Sequence, residues 1–253
     1  MFDTYTDIFN KRGAAYHEAM RRYPTARDEE FGMMLRMVRP ADGHVIVDMP
    51  SGGGYLRRYL GERTVRLIAI ETTQAFYEQC VEDDQTTCLL RDLAQTGLAS
   101  ASVDTVVSMA GLHHVDERPA VFREMHRILK PGGTLCVADV EEGSVIEGFL
   151  DSFVDQHNAM GHHGDYINAA FRADLEAAPL TINHDEQETY SWTFDDVDQM
   201  VDYCTLMFGL DQATPEEVLE GISAYQGFTE NETGCAMHWG LRFIRCTKEP
   251  AAN

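Results

Sequence analysis

Apolar residues in this chain follow two different periods. Over residues 1–40 they recur at helical spacing, at Tyr5, Ile8, Phe9, Tyr16, Met20 and Tyr23, and Pro24 and Pro40 punctuate this arm. From 41 to 142, short β-branched runs alternate with amphipathic stretches. The pattern predicts strands at 44–48, 65–70, 87–90, 103–109 and 134–139, with helices at 54–60, 73–81 and 117–129 between them. Such alternation predicts an α/β fold, an open and mostly parallel sheet with helices on both faces. Beyond Glu142 the pattern changes. A helical stretch over about 144–178, rich in His, Asp and Met, precedes a strand at 183–192 and helices at about 195–208 and 215–226. A last, antiparallel strand from Ala236 to Thr247 follows the turn Glu230-Asn231-Glu232-Thr233-Gly234. With no repeat and no low-complexity linker, a single domain is expected over 1–253. It comprises a helical arm (1–40), a core (41–142), an inserted helical cap (143–180) and C-terminal strands and helices (181–253).

The first strand runs into Val45-Ile46-Val47-Asp48-Met49-Pro50-Ser51-Gly52-Gly53-Gly54-Tyr55, an apolar run, an acidic residue and a glycine-rich turn before a helix. In a Rossmann-like sheet this junction holds a nucleotide-like ligand, and glycines let the backbone approach it with no Cβ in the way. The second strand ends at Glu71, 23 residues after Asp48, where a carboxylate can accept hydrogen bonds from both hydroxyls of a ribose. The dinucleotide fingerprint is incomplete, because Arg57 stands three beyond Gly54 where a third glycine belongs. That departure disfavours a nicotinamide-dependent oxidoreductase.

Farther on come Val103-Asp104-Thr105-Val106-Val107-Ser108, then Gly111-Leu112-His113-His114-Val115, then Arg127-Ile128-Leu129-Lys130-Pro131-Gly132-Gly133-Thr134-Leu135. Together with the glycine loop, this set resembles the class I S-adenosylmethionine-dependent methyltransferase family, its small-molecule branch in particular, over about residues 40–140. The resemblance implies S-adenosyl-L-methionine as cofactor and methyl transfer to an O, N or C nucleophile of a small-molecule acceptor. It implies that Asp48, Gly52 and Gly54 shape the loop beside the methionine moiety and that Glu71 holds the ribose. Thr72 would lie beside the adenine, Asp92 and Leu93 at its edge, and Ser108 and Met109 beneath the sulfonium. Pro50 stands where the family's first loop glycine is usual; its ring fixes φ at about −65° and it has no N–H. We expect this position to need only a negative φ, with the glycines supplying the turn. A catalytically silent cofactor-binding or regulatory protein is the alternative that Pro50 keeps open.

Charge narrows the partners. The formal net charge is −22, and no stripe of Lys and Arg gathers the cations that polyanion binding requires. Nucleic acid and an anionic membrane surface are therefore not expected as partners, and the acidity reads as solubility, for instance in a salty cytoplasm. The start, Met1-Phe2-Asp3-Thr4-Tyr5-Thr6-Asp7, lacks the basic region and apolar core of a signal peptide. Six cysteines (Cys80, Cys88, Cys136, Cys204, Cys235 and Cys246) form no Cys-x-x-Cys pair and read as reduced thiols. A soluble, cytoplasmic protein is expected, with a homodimer allowed.

On the acceptor side, His113 and His114 fall at the end of the fourth strand and are the expected catalytic residues. Imidazole there can deprotonate a phenol, carboxylic acid or amine near neutral pH, and His113 can also anchor the following loop. Tyr16, Tyr23 and Arg27 of the arm and His157 of the cap are expected in the acceptor pocket. The cap group His157, His162, His163, Asp155 and Asp165 lacks an i, i+4 ligand pair, and Gly161 and Gly164 mark a loop. Polar loop residues and no metal are expected there. Tyr190, Trp192, Phe194 and Trp239 read as core, Trp192 and Trp239 facing each other across the last strands.

Overall fold

The β-branched runs form a parallel core. The computed structural model describes residues 5–250, so residues 1–4 of the expected arm and 251–253 of the C-terminal segment lie outside the described part. β1 (Val45–Asp48), β2 (Arg66–Glu71), β3 (Thr86–Leu90), β4 (Val103–Met109) and β5 (Leu129–Asp139) pair in parallel. β6 (Leu180–Phe194), β7 (Phe228–Asn231) and β8 (Gly234–Lys248) add antiparallel ladders. The order is β3-β2-β1-β4-β5-β8-β6, with β7 on β8. Strand order reverses at β1, which lies between β2 and β4. The crevice beyond the C-terminal ends of β1 and β4 is thus a topological switch point, the place where open α/β sheets bind ligands.

Successive side chains in each central strand enter opposite layers. Ile46, Leu67, Val107, Cys136 and Phe243 join one buried cluster, while their neighbours Val47, Ile68, Val106, Leu135 and Ile244 join the other. α1 (Tyr5–Arg22) and α2 (Asp28–Val38) precede the sheet, and α3 (Arg57–Leu60), α4 (Gln74–Tyr77) and α5 (Arg118–Ile128) connect its parallel strands. The cap contributes α6 (Val145–Gly148), a π-helical turn at Phe149–Val154, α7 (Asp155–His157) and α8 (Ala169–Glu176). α9 (Val197–Phe208) and α10 (Pro215–Tyr225) follow, the latter started by a reciprocal capping box between Thr214 and Glu217. α2, α9 and α10 fill the first layer, α5 and α8 the second, and α1 packs on α4 and α9.

Several details differ from the sequence expectation. The helices expected at 54–60 and 73–81 are single turns, Arg57–Leu60 and Gln74–Tyr77, and the strand Phe228–Asn231 was not expected. The cap is not one helix over 144–178. The Asn158 side chain accepts from Met160 N at 2.8 Å and donates to the Phe208 carbonyl at 2.9 Å, and Gly161 takes a positive φ of 69°. The chain turns there and stays irregular until α8. β5 starts at Leu129, so the Lys130-Pro131-Gly132-Gly133 turn belongs to the strand that it opens. Cys80 and Cys88 are disulfide-bonded, which corrects the reading of six thiols; the bond joins the stretch after α4 to β3, a closure the Cys-x-x-Cys criterion does not detect. Trp192 and Trp239 do stack as expected, ring centroids 4.2 Å apart. Among the described residues no helix is long and apolar enough to cross a membrane.

Arg27 and Glu30 form a charged pair inside this fold. Arg27, just before α2, points its guanidinium at Glu30, with Nη2–Oε1 at 2.5 Å and Nε–Oε2 at 3.0 Å, and Glu30 is fully buried. Two further hydrogen bonds support the pair: Arg27 Nη1 donates to Tyr16 OH at 2.8 Å, and Trp192 Nε1 donates to Glu30 Oε2 at 2.6 Å. Breaking such a pair from one side leaves a buried charge uncompensated, at a cost of about 3–5 kcal/mol. Glu30→Ala should lose that much stability in urea denaturation, while the apolar double variant Arg27→Met/Glu30→Leu loses much less. A single variant within about 1 kcal/mol of the parent would contradict the network.

Candidate active site

Leaving β1, the chain passes a cis Met49–Pro50 bond and turns through Gly52, Gly53 and Gly54 at φ of 63°, 105° and 79°. These left-handed values favour glycine, so the glycines carry the turn and Pro50 keeps the negative φ of its ring. Glu71, at the end of β2, accepts from Ser51 Oγ at 3.0 Å and from Gly53 N at 3.3 Å, which ties the loop to the second strand. Asp48 is buried beside it. Burial, and then the Glu71 charge, push the Asp48 carboxyl well above the usual carboxylate range. Two buried carboxylates this close favour a cationic ligand. Thr72 Oγ1 and Ser108 Oγ are also buried with no hydrogen-bond partner.

Three hollows meet at the end of β4. A narrow one of about 40 Å³ is lined by Asp48, Pro50, Ser51, Gly52, Met109 and Ala110, and the Phe9, Tyr16 and Phe76 rings help to line it. A wide cleft of about 690 Å³ runs along Thr72, Asp92, Leu93, His114 and Val115. A cavity of about 100 Å³ lies behind Met109 and Ala110, among Arg12, His113, His114, His162, Trp192 and Trp239. Met109 and Ala110 are shared by the first and third, and His114 by the second and third. Ala110 holds a positive φ of 50°, unusual for a residue with a Cβ, with its N–H on the Ala138 carbonyl at 2.8 Å.

Asp139 positions the histidines. Its Oδ2 accepts from the backbone N–H of Leu112 and His113, and its Oδ1 lies 2.5 Å from His113 Nδ1. The short 3-10 turn Leu112–His114 is thereby pinned to the end of β5. Burial, followed by neighbouring His113, His162 and Arg12, holds the His114 pKa well below the ordinary imidazole value, so this ring is neutral near pH 7. His162 comes from the cap segment after the Asn158 turn, with Nδ1 3.3 Å from Asp151 Oδ1. Asp151 lies in the π-helical turn and also accepts from Tyr166 OH at 2.5 Å.

Most of the expected site residues gather here. Asp48, Pro50, Gly52 and Met109 line the narrow hollow, and Thr72, Asp92 and Leu93 the wide cleft. Tyr16 and Arg27 touch both the narrow hollow and the rear cavity. Gly54 and Ser108 lie behind the surface: a Cβ on Gly54 would sit 2.8 Å from Cys80 Sγ, and Ser108 is buried within β4. Two expected pocket residues are elsewhere. α1 ends at Arg22, so Tyr23 leaves the face that carries Tyr16. It donates to Asp202 at 2.7 Å, its hydroxyl pKa is pushed up to about 12 by burial and that carboxylate, and it lines a separate surface hollow. His157, at the end of α7, packs its ring 4.5 Å from Phe153 and does not line the cavity. Arg12, Glu30 and His162 were missing from the expected pocket. For Arg12 the signal was present: it lies three residues after Phe9 and four before Tyr16, on one helix face.

An open α/β sheet with a glycine turn after β1 and an acidic residue closing β2 defines a Rossmann-like nucleoside-binding protein. Residues 47–137 match the family model described as a methyltransferase domain. An O-methyltransferase of Pyrenophora dematioidea is 26% identical over 157 residues, covering 55% of this chain and 59% of that protein. A dimethylglycine N-methyltransferase of Parasynechococcus marenigrum is 30% identical over 176 residues, 65% of this chain and 61% of that one. The chain thus spans about three fifths of the length of these relatives. Among solved structures, a Haemonchus contortus phosphoethanolamine N-methyltransferase in complex with phosphomonomethylethanolamine and S-adenosylhomocysteine superposes with a TM-score of 0.62. It is 15% identical and covers 98% of this chain and 60% of that one. Residues 47–137 thus match a methyltransferase domain, carried on the class I fold whose cofactor is S-adenosylmethionine.

The residues at the strand ends fit that cofactor. A ligand with a cationic methionine end answers the buried Asp48 beside the glycine turn, its ribose hydroxyls suit Glu71, and its ring nitrogens suit the polar atoms along the cleft. If Glu71 takes the ribose hydroxyls, Glu71→Ala should weaken S-adenosylhomocysteine binding by about 1.5–3 kcal/mol, the range for hydrogen bonds to a charged group. Calorimetry showing unchanged affinity in a folded variant would remove Glu71 from that role.

Proposed function

We propose that the protein methylates an oxygen of a small acceptor that also carries an anionic group. Arg12 carries this reading. Its Nε is buried with no hydrogen-bond partner, and the residue lines the cavity behind Met109 and Ala110. Burial lowers its pKa, against the pull of Asp211, only to about 10, so it remains cationic at neutral pH. A buried guanidinium with an unmet N–H recognises a carboxylate or a similar oxyanion.

The size and walls of the cavity support a small acceptor. At about 100 Å³ it compares with the roughly 150 Å³ cavity that accommodates benzene. Trp192, Trp239, Phe208 and Met207 provide apolar walls for a ring or a short chain. The net charge of −22 speaks against a nucleic-acid acceptor, and the imidazoles lining the cavity suit a hydroxyl acceptor, which must lose a proton to become nucleophilic.

When bound, the cofactor supplies a methyl group on an excellent leaving group. The chain supplies position, dryness and an ionised acceptor. Asp48 and the glycine turn hold the methionine end, Glu71 the ribose, and Thr72, Asp92 and Leu93 the adenine side. Arg12 fixes the anionic group, the tryptophans hold the apolar body, and Tyr16 and Arg27 exclude water between the hollows. The histidines at the end of β4 promote loss of the hydroxyl proton.

Methyl-labelled cofactor offered with small hydroxy acids and with their neutral amides tests this reading. Label should enter the hydroxy acids as an ether, and Arg12→Gln should raise KM by about tenfold or more, since a charged hydrogen bond contributes about 1.5–3 kcal/mol. Equal turnover of the amides would refute the anionic acceptor. Cofactor binding without transfer to any hydroxy acid would favour a silent binding protein.

A further inference from the structure

We propose that His113, His114 and His162 bind a divalent transition-metal ion, zinc in the first instance, with an open coordination position facing the acceptor cavity. The inference rests on the acceptor-site reading above only for what occupies that open position. It replaces the expectation that the cap histidines have no part in a metal site.

Three imidazoles converge from two distant segments, His113 and His114 from the turn after β4 and His162 from the cap. One ring nitrogen of each lies within 4.8 Å of those of the other two. Each ring is also held from behind. His113 Nδ1 lies against Asp139, and His162 Nδ1 against Asp151. His114 is hydrogen-bonded to the backbone of His163. With Nδ1 engaged, His113 and His162 retain Nε2 as a ligand atom. A carboxylate or a carbonyl behind each ligating imidazole is the usual support of a metal-bound histidine, since it fixes the ring and raises its basicity.

Charge and chemistry agree with a metal. A dication there is offset by the buried Asp139 and by Asp151, and by the acceptor's own anion on Arg12. Three protein ligands with a fourth position open is the arrangement of catalytic zinc sites, and an all-imidazole set suits Zn, Fe, Ni or Cu rather than Mg or Ca. Coordination at the open position would ionise the acceptor hydroxyl, its proton leaving to water, and the coordinated oxyanion would then take the methyl. The other clustered donor set among the described residues, His184, Glu186 and Glu188, lies along one strand and lines none of the three hollows described above.

The test uses the full chain stripped with chelator and dialysed. Titration with Zn²⁺ by calorimetry should show one equivalent bound, and Co²⁺ should give the visible absorption of a four-coordinate site. His162→Ala should weaken zinc binding by on the order of 100-fold, and Asp151→Asn by about 10–100-fold. Both variants should keep S-adenosylhomocysteine binding as a check of folding, and His184→Ala should leave zinc affinity unchanged. No stoichiometric zinc, or the parent affinity in a folded His162→Ala, overturns the metal site. Methylation of hydroxy acids by metal-free protein overturns the role given to the open coordination position while leaving the proposed function intact. Zinc binding with no such methylation refutes the proposed acceptor instead.

Discussion

The buried ion pair of Arg27 and Glu30 is the constraint on which the site depends. Two charges removed from water are costly, and they persist only where good geometry and further hydrogen bonds compensate them. Here Tyr16 of α1, Glu30 of α2 and Trp192 of β6 supply these bonds, so three separate elements must converge on one guanidinium. The Arg27 guanidinium also lies over the Phe31 and Trp192 rings, 5.2 and 5.6 Å from their centroids. A correctly assembled pair therefore brings the helical arm over the strand ends. It also builds the wall between the hollow beside the glycine turn and the cavity behind Met109.

From that wall the geometry proceeds through β4. Its end is held by Asp139, which binds the backbone of the following turn and the His113 ring together. Ala110 is kept in a left-handed conformation there, a strained state that costs about 1–3 kcal/mol and persists only where its surroundings enforce it. Because Met109, Ala110 and His114 each border more than one hollow, a ligand in the cleft and a ligand in the rear cavity would meet at these residues. Methyl transfer depends on this kind of fixed approach more than on any strong base.

The core was legible because its signals are local. Val45–Asp48 and Val103–Met109 carry the β-branched runs Val45-Ile46-Val47 and Val106-Val107 and are buried along most of their length, and the glycines after Ser51 announce a positive-φ turn. The cap was not legible because its shape is decided by partners far away in the chain. Asn158 turns it by bonding to Phe208, and His162 reaches the site only because of that turn. Periodicity put Tyr16 on the helix face that lines the hollows, but it carried Tyr23 beyond the end of its helix and overlooked Arg12 on the same face. His157 ends α7 just before the Asn158 turn and does not line the cavity. The Cys80–Cys88 bond follows from the approach of the stretch after α4 to β3, which spacing alone does not encode.

The most direct test of the central claim is a crystal structure of the protein with S-adenosylhomocysteine. The account predicts the ribose hydroxyls on Glu71, the adenine in the cleft beside Asp92 and Leu93, and the sulfur beside Met109 and Ala110, facing the cavity that holds Arg12. A ligand bound elsewhere, or one whose sulfur faces away from that cavity, would contradict it.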